Sequence, residues 1–477
     1  MVRLLASLFL MVMLALPPGS TASDAPSVAL ASEGSAFDVG KGEVQRARTG
    51  EVPLARPKTA PSPAPANTWF LAEGSTAAPF QTWLLFFNPS GSSTANVTLT
   101  FMFPNGATST TALAVGPNRR ASLFANLILP NVPAFSTRVD SSGPILVERA
   151  MYFNLDGNVS LGATAPQSTW LFAEGSTAPP FHTWFLVQNP GTVPASVTFR
   201  FFREGGGSAG AVTVTVGPTS RFSLFANQVI AGTSFSTQVA SSQPIVVELS
   251  MYETTTGGGH NVMGVATGSD GWNFAEGSTL SPFHTWFLLF NPNNFPVRIL
   301  ARLMPDVGGP GPLLDFTIQA LSRTSVFAND IFPNRAFASV WTGQTAEGAP
   351  APIVVNRSMS FFKPNAGSHA SVGAPTRDTI WRFAEGATAA PFDEWLLLSN
   401  PSQDAAANVT VTFFSTIDGT AVATRTFTVG DRLSIFVNHI VPNVPDLSMV
   451  VSSDLPISAE RSMYFRQGGT NTIGSPG

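Results

Sequence analysis

Cysteine is absent from this sequence of 477 residues, and charged residues make up only 11% of it. Without cysteine there can be no disulfide and no lipid-modified N-terminal cysteine, so each domain must be stable through its hydrophobic core alone. The net charge of −4 at pH 7 provides no basic face for nucleic acid or for an anionic membrane. We therefore expect no nucleic-acid partner.

An apolar run of membrane-spanning length is also missing. Residues 4–16 form the main apolar stretch, and about 13 residues are too few for an ordinary spanning helix. Arg3 precedes the stretch and Ser20, Thr21 and Ala22 follow it, which is the pattern of a secretory signal over residues 1–22. We expect a secreted or cell-surface protein without a membrane span in the mature chain; a retained N-terminal anchor is the alternative.

Residues 23–66 differ in composition from the rest of the chain. They contain most of the local charge, followed by a Pro/Ala-rich run at 57–65, and they have no apolar periodicity. This composition predicts a disordered spacer that is stiffened by polyproline II near its end. A cleaved pro-segment is the alternative.

One motif, Trp-x-Phe/Leu-Ala-Glu-Gly-x-Thr or a close variant of it, occurs four times. It opens at Trp69, Trp170, Trp272 and Trp381, with spacings of 101, 102 and 109 residues. Such a period indicates one domain of about a hundred residues that is present in four copies. The predicted repeats are residues 67–166, 167–269, 270–377 and 378–477.

The copies share further positions at constant distances from the first tryptophan. A second Trp follows at +14, an Asn-Pro pair at +19, an Arg at +51 and Phe-Ala/Val-Asn at +57. Each copy then has Pro-Ile and a version of Glu-Arg-x-Met-Tyr, which is complete at residues 148–152 and 460–464. A register kept over 57 residues indicates that these segments belong to one core.

The pattern within a repeat is that of strands. Residues 96–103 alternate between apolar and mostly polar side chains, while residues 83–87 are apolar on both sides, as in a central buried strand. Residues 212–216 and 221–225 flank Gly217-Pro218 and predict a hairpin. Seven or eight strands per copy and no helical period predict an all-β fold of four tandem immunoglobulin-like β-sandwich repeats.

Two other architectures deserve comparison with four separate sandwiches. A propeller blade takes about 40–50 residues and four strands, roughly half of one repeat, and a β-helix needs a still shorter repeat. The connections between copies are short, which favours domains with restricted swing. Four sandwiches in line would extend over roughly 120–150 Å.

The glutamate of the opening motif is the strongest candidate for chemistry, because a carboxylate in a buried strand needs a partner. The arginine at +51 recurs as often and is the expected partner, which gives a structural ion pair in each repeat: Glu73 with Arg120, Glu174 with Arg221, Glu276 with Arg323, and Glu385 with Arg432. A ligand-binding carboxylate or a catalytic acid are the alternatives. Glycosidase chemistry needs a second carboxylate, and the nearest recurring one (Glu148, Glu248, Glu460) is Asn356 in the third copy. We therefore predict no enzyme, catalytic residue or cofactor.

The tryptophans divide into two classes. Those of the Trp69 type open an apolar strand and are expected in the core. Those at +14, together with an extra one in a longer loop of the third repeat, are candidates for a ligand-stacking surface: Trp83, Trp184, Trp286, Trp395 and Trp341. The five histidines lack ligand spacing, so no metal site is predicted.

The combined motifs, Trp-x-Phe-Ala-Glu-Gly-x-Thr, Asn-Pro and Pro-Ile-x-x-Glu-Arg-x-Met-Tyr, resemble those of a bacterial family of secreted tandem-repeat domains of unknown function. The resemblance covers about residues 67–477 and implies exported, sandwich-like, non-catalytic modules; it carries no functional residues. The leading hypothesis is a surface or matrix protein whose modules form a structural or adhesive spacer. The alternative is a multivalent protein that binds a glycan or the cell wall. The expected partner is a cell-envelope glycan or a surface protein.

Overall fold

The alternating segments fold into strands throughout the part of the chain that the structure describes. This computed structural model describes residues 45–46, 63–307, 309–361, 367–402, 405–415, 419–466 and 468–477. The predicted signal peptide and most of the predicted spacer lie outside these residues. Residues 43–477 form one compact unit.

The first two repeats have the same seven strands each. A two-residue strand, β1 (Gln45–Arg46), precedes them. The first repeat contains β2 (Ala66–Leu71), β3 (Gln81–Asn88), β4 (Ala95–Met102), β5 (Thr108–Val115), β6 (Arg119–Phe124), β7 (Ser136–Phe153) and β8 (Asp156–Leu161). The second contains β9 (Gln167–Phe172), β10 (Phe181–Asn189), β11 (Ala195–Phe202), β12 (Ser208–Val216), β13 (Ser220–Phe225), β14 (Ser236–Glu253) and β15 (Gly259–Met263).

The last two repeats follow the same order with small changes. The third contains β16 (Gly271–Phe274), β17 (Phe283–Asn291), β18 (Val297–Pro305), β19 (Leu313–Ile318), β20 (Ser322–Phe327), β21 (Phe337–Gln344), β22 (Val354–Phe361) and β23 (Gly367–Val372). The fourth contains β24 (Asp378–Phe383), β25 (Phe392–Ser399), β26 (Ala407–Ser415), β27 (Ala421–Val429), β28 (Arg432–Phe436), β29 (Leu447–Phe465), β30 (Gly468–Ile473) and β31 (Ser475–Pro476). Short helical turns lie at Ala125–Ile128, Ala226–Gln228, Ala328–Ile331 and Val437–His439.

One long strand joins the two sheets of the sandwich in the first, second and fourth repeats, whereas in the third it is divided into β21 in one sheet and β22 in the other. In the first repeat, the first half of β7 pairs with β2 and β4, and its second half pairs with β3 and β8. Strand β5 extends one sheet beyond β4, and β6 extends the other beyond β3. The two inner faces enclose one core, which confirms the predicted β-sandwich class.

Two details of the strand prediction are wrong. Strands β12 and β13 do not form a hairpin: β12 pairs with β11, and β13 pairs with β10 in the other sheet. Both strands have the same alternation, which does not determine their partners. Trp341 does not lie in a loop but in β21, where it pairs with Trp272 and is 0% exposed. It occupies the core position that Val139 fills in the first repeat.

The recurring residues of the core explain two of the motifs. Trp69 is fully buried and donates its indole N–H to the carbonyl of Ile145, at 3.0 Å. The other opening tryptophans make the same bond to the isoleucine of Pro-Ile, at 2.9 Å in each case: Trp170 to Ile245, Trp272 to Ile353, and Trp381 to Ile457. The predicted core role of these tryptophans is confirmed.

The four repeats close into a ring. Their strands β8, β15, β23 and β30 contact one another in cyclic order, including β30 of the fourth repeat with β8 of the first. The expected line of separate domains is therefore wrong. Outward-facing apolar side chains explain the closure, since Phe87 packs on Phe414 of the fourth repeat with ring centroids 5.8 Å apart. Each contact zone between consecutive repeats is called a junction below, from junction 1/2 to junction 4/1.

Candidate functional site

The motif glutamates lie at the junctions. Glu73 binds Arg149 of its own repeat, with Oε2 and Nη2 3.0 Å apart, and Arg149 also binds Glu248 of the next repeat at 2.7 Å. All three side chains are at most 6% exposed. The same group recurs at two other junctions: Glu276, Arg357 and Glu460 at junction 3/4, and Glu385, Arg461 and Glu148 at junction 4/1.

Backbone and tyrosine hydrogen bonds complete each group. The carboxylate of Glu248 accepts the backbone N–H of Ala72 at 2.6 Å and that of Glu73 at 3.2 Å, while the hydroxyl of Tyr252 donates to Glu73 at 3.2 Å. Equivalent bonds join Ala275, Glu276, Glu460 and Tyr464, and Ala384, Glu385, Glu148 and Tyr152. The two repeated motifs therefore bind consecutive repeats to one another.

Junction 2/3 departs from this arrangement at both of its faces. The second repeat has Leu249 where the arginine stands elsewhere, and the third repeat has Asn356 where the facing glutamate stands. Glu174 instead meets His260, with Oε1 and Nε2 3.2 Å apart. Burial acts to raise the pKa of Glu174, but the attraction and hydrogen bond of His260, together with Ser358 and Arg323, outweigh it, and the pKa is lowered. The asparagine that interrupts the third copy is thus matched by the leucine that faces it.

The predicted partner of the motif glutamates is wrong. Arg120 reaches the fourth repeat, where it binds Asp446 at 3.1 Å and donates to the carbonyl of Gly386 at 2.9 Å. The reason is topological: Arg120 lies on the outward face of one sheet, while Glu73 follows a strand of the other. In the remaining repeats, Arg323 lies 4.0 Å from Glu204 and Arg432 lies 3.1 Å from Asp306. The side chain of Arg221 has no ion pair or hydrogen bond within the described residues. All eight predicted residues are buried.

Asp156 lies where the four closing strands meet. Its carboxylate accepts backbone N–H groups from the other three repeats: from Gly259 at 2.9 Å, from Ser368 at 3.1 Å and from Gly469 at 3.0 Å. Burial raises the pKa of Asp156 to about 7, although the amide donors oppose this. Sequence analysis did not single out Asp156, because nothing in one repeat shows that four strand ends converge.

A pocket of about 230 Å³ lies on the same set of closing strands, next to the connections between repeats. All four repeats line it, and none of the described residues in its wall has a charged side chain. Its polar side chains include Ser160, Asn261 and Asn471, and Trp170 and Trp272 contribute to its wall. We call it the axial pocket. Sequence reasoning missed it, because its lining comes from segments that are remote from one another in the chain.

The four candidate stacking tryptophans at +14 contact phenylalanines of their own repeats. Each packs on the phenylalanine of Phe-Ala/Val-Asn, with ring centroids 4.5 Å apart for Trp83 on Phe124. The others are equivalent, at 4.4, 4.3 and 4.8 Å: Trp184 on Phe225, Trp286 on Phe327, and Trp395 on Phe436. Trp83 is buried and the other three are half-buried. One face of each indole is thus covered by its own repeat.

Glu394 is a buried carboxyl group that the motifs did not indicate. It takes the place of Thr82, whose hydroxyl donates to the carbonyl of Ser75 at 2.5 Å. Burial raises the pKa of Glu394 to about 8, with Arg461 opposing the shift and Glu385 adding to it. The side chain is 0% exposed, so a neutral carboxyl group is its stable form at neutral pH.

Within the described residues, no three histidine, aspartate or glutamate side chains are grouped so that they could hold a metal ion. In the same part of the chain, no helix is both long and apolar enough to cross a membrane.

No family model and no curated protein matches the chain. Among solved structures, Thermotoga maritima 1070 is 19% identical and covers 21% of this chain and 94% of its own, with a TM-score of 0.19. The Anabaena sensory rhodopsin transducer is 22% identical over 17% of this chain and 91% of its own, with a TM-score of 0.16. A tetra-tandem repeat from the extending region of a large adhesion protein is 14% identical over 80% of this chain and 92% of its own, with a TM-score of 0.10. Likenesses with TM-scores this low carry no functional argument.

Proposed function

We propose that this chain is a secreted, non-catalytic surface or matrix protein whose four β-sandwich repeats form one adhesive head. The head binds an uncharged sugar residue of a cell-envelope glycan in the axial pocket. The observation that carries this proposal is a pocket to which all four repeats contribute and in which no described wall residue has a charged side chain.

The buried junctions support a structural rather than a catalytic role for the repeated acids. At three of the four junctions, each motif glutamate is held by an arginine and by a tyrosine hydroxyl. A catalytic acid has to contact its substrate, whereas these carboxylates are at most 6% exposed. Ring closure also supports a compact head in place of an extended spacer.

The lining of the axial pocket favours a small neutral ligand. A charged ligand would lose its hydration without gaining an opposite charge. Hydroxyl groups of a sugar can instead pair with serine and asparagine side chains, and the carbonyl oxygen of Asn261 is buried without a partner. Apolar walls with a few polar groups are typical of small-molecule sites.

A second candidate is multivalent glycan binding by the four tryptophans at +14. It is favoured by one observation, that the Trp–Phe pair recurs in all four repeats and stays partly exposed in three of them. Four weak sites on one ring would act through avidity. The two candidates differ in stoichiometry, which is one sugar per chain for the axial pocket and up to four for the tryptophans.

A glycan array with cell-envelope polysaccharides, followed by titration calorimetry of the full chain, tests the proposal. Ala266→Trp places a large side chain on a half-buried position of the pocket wall, and Ala112→Trp on the exposed face of β5 is the matched control. We expect one bound sugar per chain, with binding lost in Ala266→Trp and kept in Ala112→Trp. Binding of several sugars that survives Ala266→Trp but is lost on replacement of Trp184 would favour the second candidate. No binding to any glycan would refute both.

A further inference from the structure

Arg221 lacks the carboxylate partner that its three counterparts have. Each repeat turns this arginine toward the preceding repeat, which supplies an acid at three junctions: Asp446 for Arg120, Glu204 for Arg323, and Asp306 for Arg432. These acids come from two different loop positions. Asp446 directly precedes β29, whereas Glu204 and Asp306 lie just after the ends of β11 and β18. The recurrence from two positions shows that this arginine is normally neutralised by a carboxylate.

At junction 1/2, the first repeat supplies no acid at either position. It has Ala134 where the fourth repeat has Asp446, and Pro104 where the second repeat has Glu204. Arg221 is 4% exposed, its side chain forms no hydrogen bond or ion pair within the described part of the chain, and its Nε is buried without a partner. Burying a cation without an opposite charge lowers the stability of the fold. The surroundings of Arg221 therefore lack a carboxylate.

The acids near Arg221 do not fill that role. Glu73 and Glu248 attract it, but both are bound directly by Arg149. Burial outweighs their attraction and lowers the pKa of Arg221 to about 10, with Tyr252 adding a smaller attraction and Arg149 opposing it. At junction 1/2, Arg149 and Arg221 thus share two carboxylates. At junctions 3/4 and 4/1, the two equivalent arginines face three, because Asp306 or Asp446 is added.

A neighbouring amide is also incompletely paired. Gln188 lies opposite Arg221 in the register of β10 and β13 and is 0% exposed. Its Nε2, the donor that a carboxylate can use, bonds only to the sulfur of Met102 at 3.7 Å among the described residues, and its acceptor Oε1 is buried without a partner. The equivalent position is Phe87 in the first repeat, Phe290 in the third and Ser399 in the fourth, so an amide stands opposite the arginine only in the second repeat.

The missing group would stand within reach of solvent. The acids that fill the equivalent place are 18% exposed for Asp446, 29% for Asp306 and 36% for Glu204. Pro104 is exposed and Ala134 is half-buried. The arginine is therefore buried, but the place where its partner belongs opens to the surface.

We propose that junction 1/2 binds the carboxylate group of an external ligand, with the Arg221 guanidinium as its ion-pair donor and the Gln188 amide beside it. The group that fits is a carboxylate, because the chain itself places one at the other three junctions. It can belong to a free small acid or to a uronic acid residue of a glycan. This site is separate from the axial pocket.

The test is a thermal shift and calorimetry series on the full chain at constant ionic strength. Sodium acetate, glucuronate and a polyuronate are compared with chloride. We expect a saturable rise in Tm of roughly 3 °C at a hundredfold excess over Kd. Acetate and glucuronate alone would identify a small acid as the source of the carboxylate, and tighter binding of the polyuronate would identify an acidic glycan.

Two variants make the result specific. Ala134→Asp supplies the carboxylate from the chain, as Asp446 does, and should raise Tm in chloride while abolishing the response to acids. Arg221→Met should leave Tm in chloride unchanged or higher and also abolish the response. Ala336→Asp at the same position of the third repeat, where Asp306 already serves Arg432, is the control that keeps the response. A response that survives in both Ala134→Asp and Arg221→Met, or no saturable response in the parent chain, would overturn the proposal.

Discussion

Junction 2/3 has Leu249 and Asn356 where the other junctions have an arginine and a glutamate. This difference predicts how the stability of junction 1/2 responds to the loss of its arginine. Arg149→Leu removes the cation that both Glu73 and Glu248 bind, at 3.0 and 2.7 Å. Leaving buried charge without its partner costs about 3–5 kcal/mol in free energy of unfolding. Because two carboxylates lose their partner together, we expect the upper part of that range at pH 7.

Junction 2/3 contains the compensated form of this change. A triple variant, Arg149→Leu with Glu248→Asn and Asn158→His, copies Leu249, Asn356 and His260 onto junction 1/2. We expect it to regain most of the lost stability and to lie within about 1–2 kcal/mol of the parent chain, because only one carboxylate remains and a histidine faces it. The reverse exchange at junction 2/3 is the matched control: Leu249→Arg alone should destabilise, and adding Asn356→Glu should restore stability.

Urea unfolding followed by tryptophan fluorescence measures these differences as shifts of the midpoint. The deficit of Arg149→Leu should shrink as the pH falls from 7 to 5. Burial already raises the pKa of Glu73 against the attraction of Arg149, so without the arginine Glu73 takes up a proton more readily, and the neutral form is cheaper to bury. Additive losses in the triple variant, with no recovery, would refute the assignment of these residues to one coupled group.

Three further predictions concern single positions. Glu394→Thr restores the threonine of the other repeats. Because burial raises the pKa of Glu394 to about 8, the stability that its neutral form gives the parent is present at low pH and is lost as the pH rises from about 4.5 to 8. Thermal melts should therefore show the variant more stable than the parent at pH 8.5, with a much smaller difference at pH 5. Asp156→Asn should remove the part of the parent's stability that declines between about pH 4 and 7, because the pKa of this carboxyl is raised to about 7; parallel pH profiles of Tm for variant and parent would contradict this. Trp69→Phe loses the indole bond to Ile145 and leaves a cavity, for an expected loss of about 2–4 kcal/mol in urea unfolding; an unchanged midpoint would contradict the core role.

Much of a single repeat could be predicted from the sequence. Alternation located β4, and the two-sided apolar run located the central strand β3, because burial on one or both faces is written directly in the side-chain pattern. The burial of Trp69 followed from its place in an apolar strand. The partner of β12 could not be predicted in the same way, since two strands with one pattern are equivalent until a third element decides between them.

The candidate site was only partly predictable. Its glutamates were found by their recurrence, and their burial followed from the strand around them. The partner Arg149 was not predicted, because it belongs to the Glu-Arg-x-Met-Tyr motif, which nothing in the sequence connects to the opening motif. A signal was present: the second copy lacks this arginine and the third lacks the glutamate that faces it, as residues in contact across a junction would.

The sequence by itself therefore determined the number of repeats, their sandwich class, the core tryptophans and the burial of the motif glutamates, because periodicity and hydrophobic pattern act over a few residues. Only the tertiary structure decided that the repeats close into a ring, that Glu73 meets Arg149 rather than Arg120, and that Arg221 is left without an acid. These features depend on which faces of two separate repeats come together. No single repeat contains that information, because the chemistry of a junction is shared between residues of different repeats, 99 positions apart for Arg149 and Glu248 and 313 for Arg461 and Glu148.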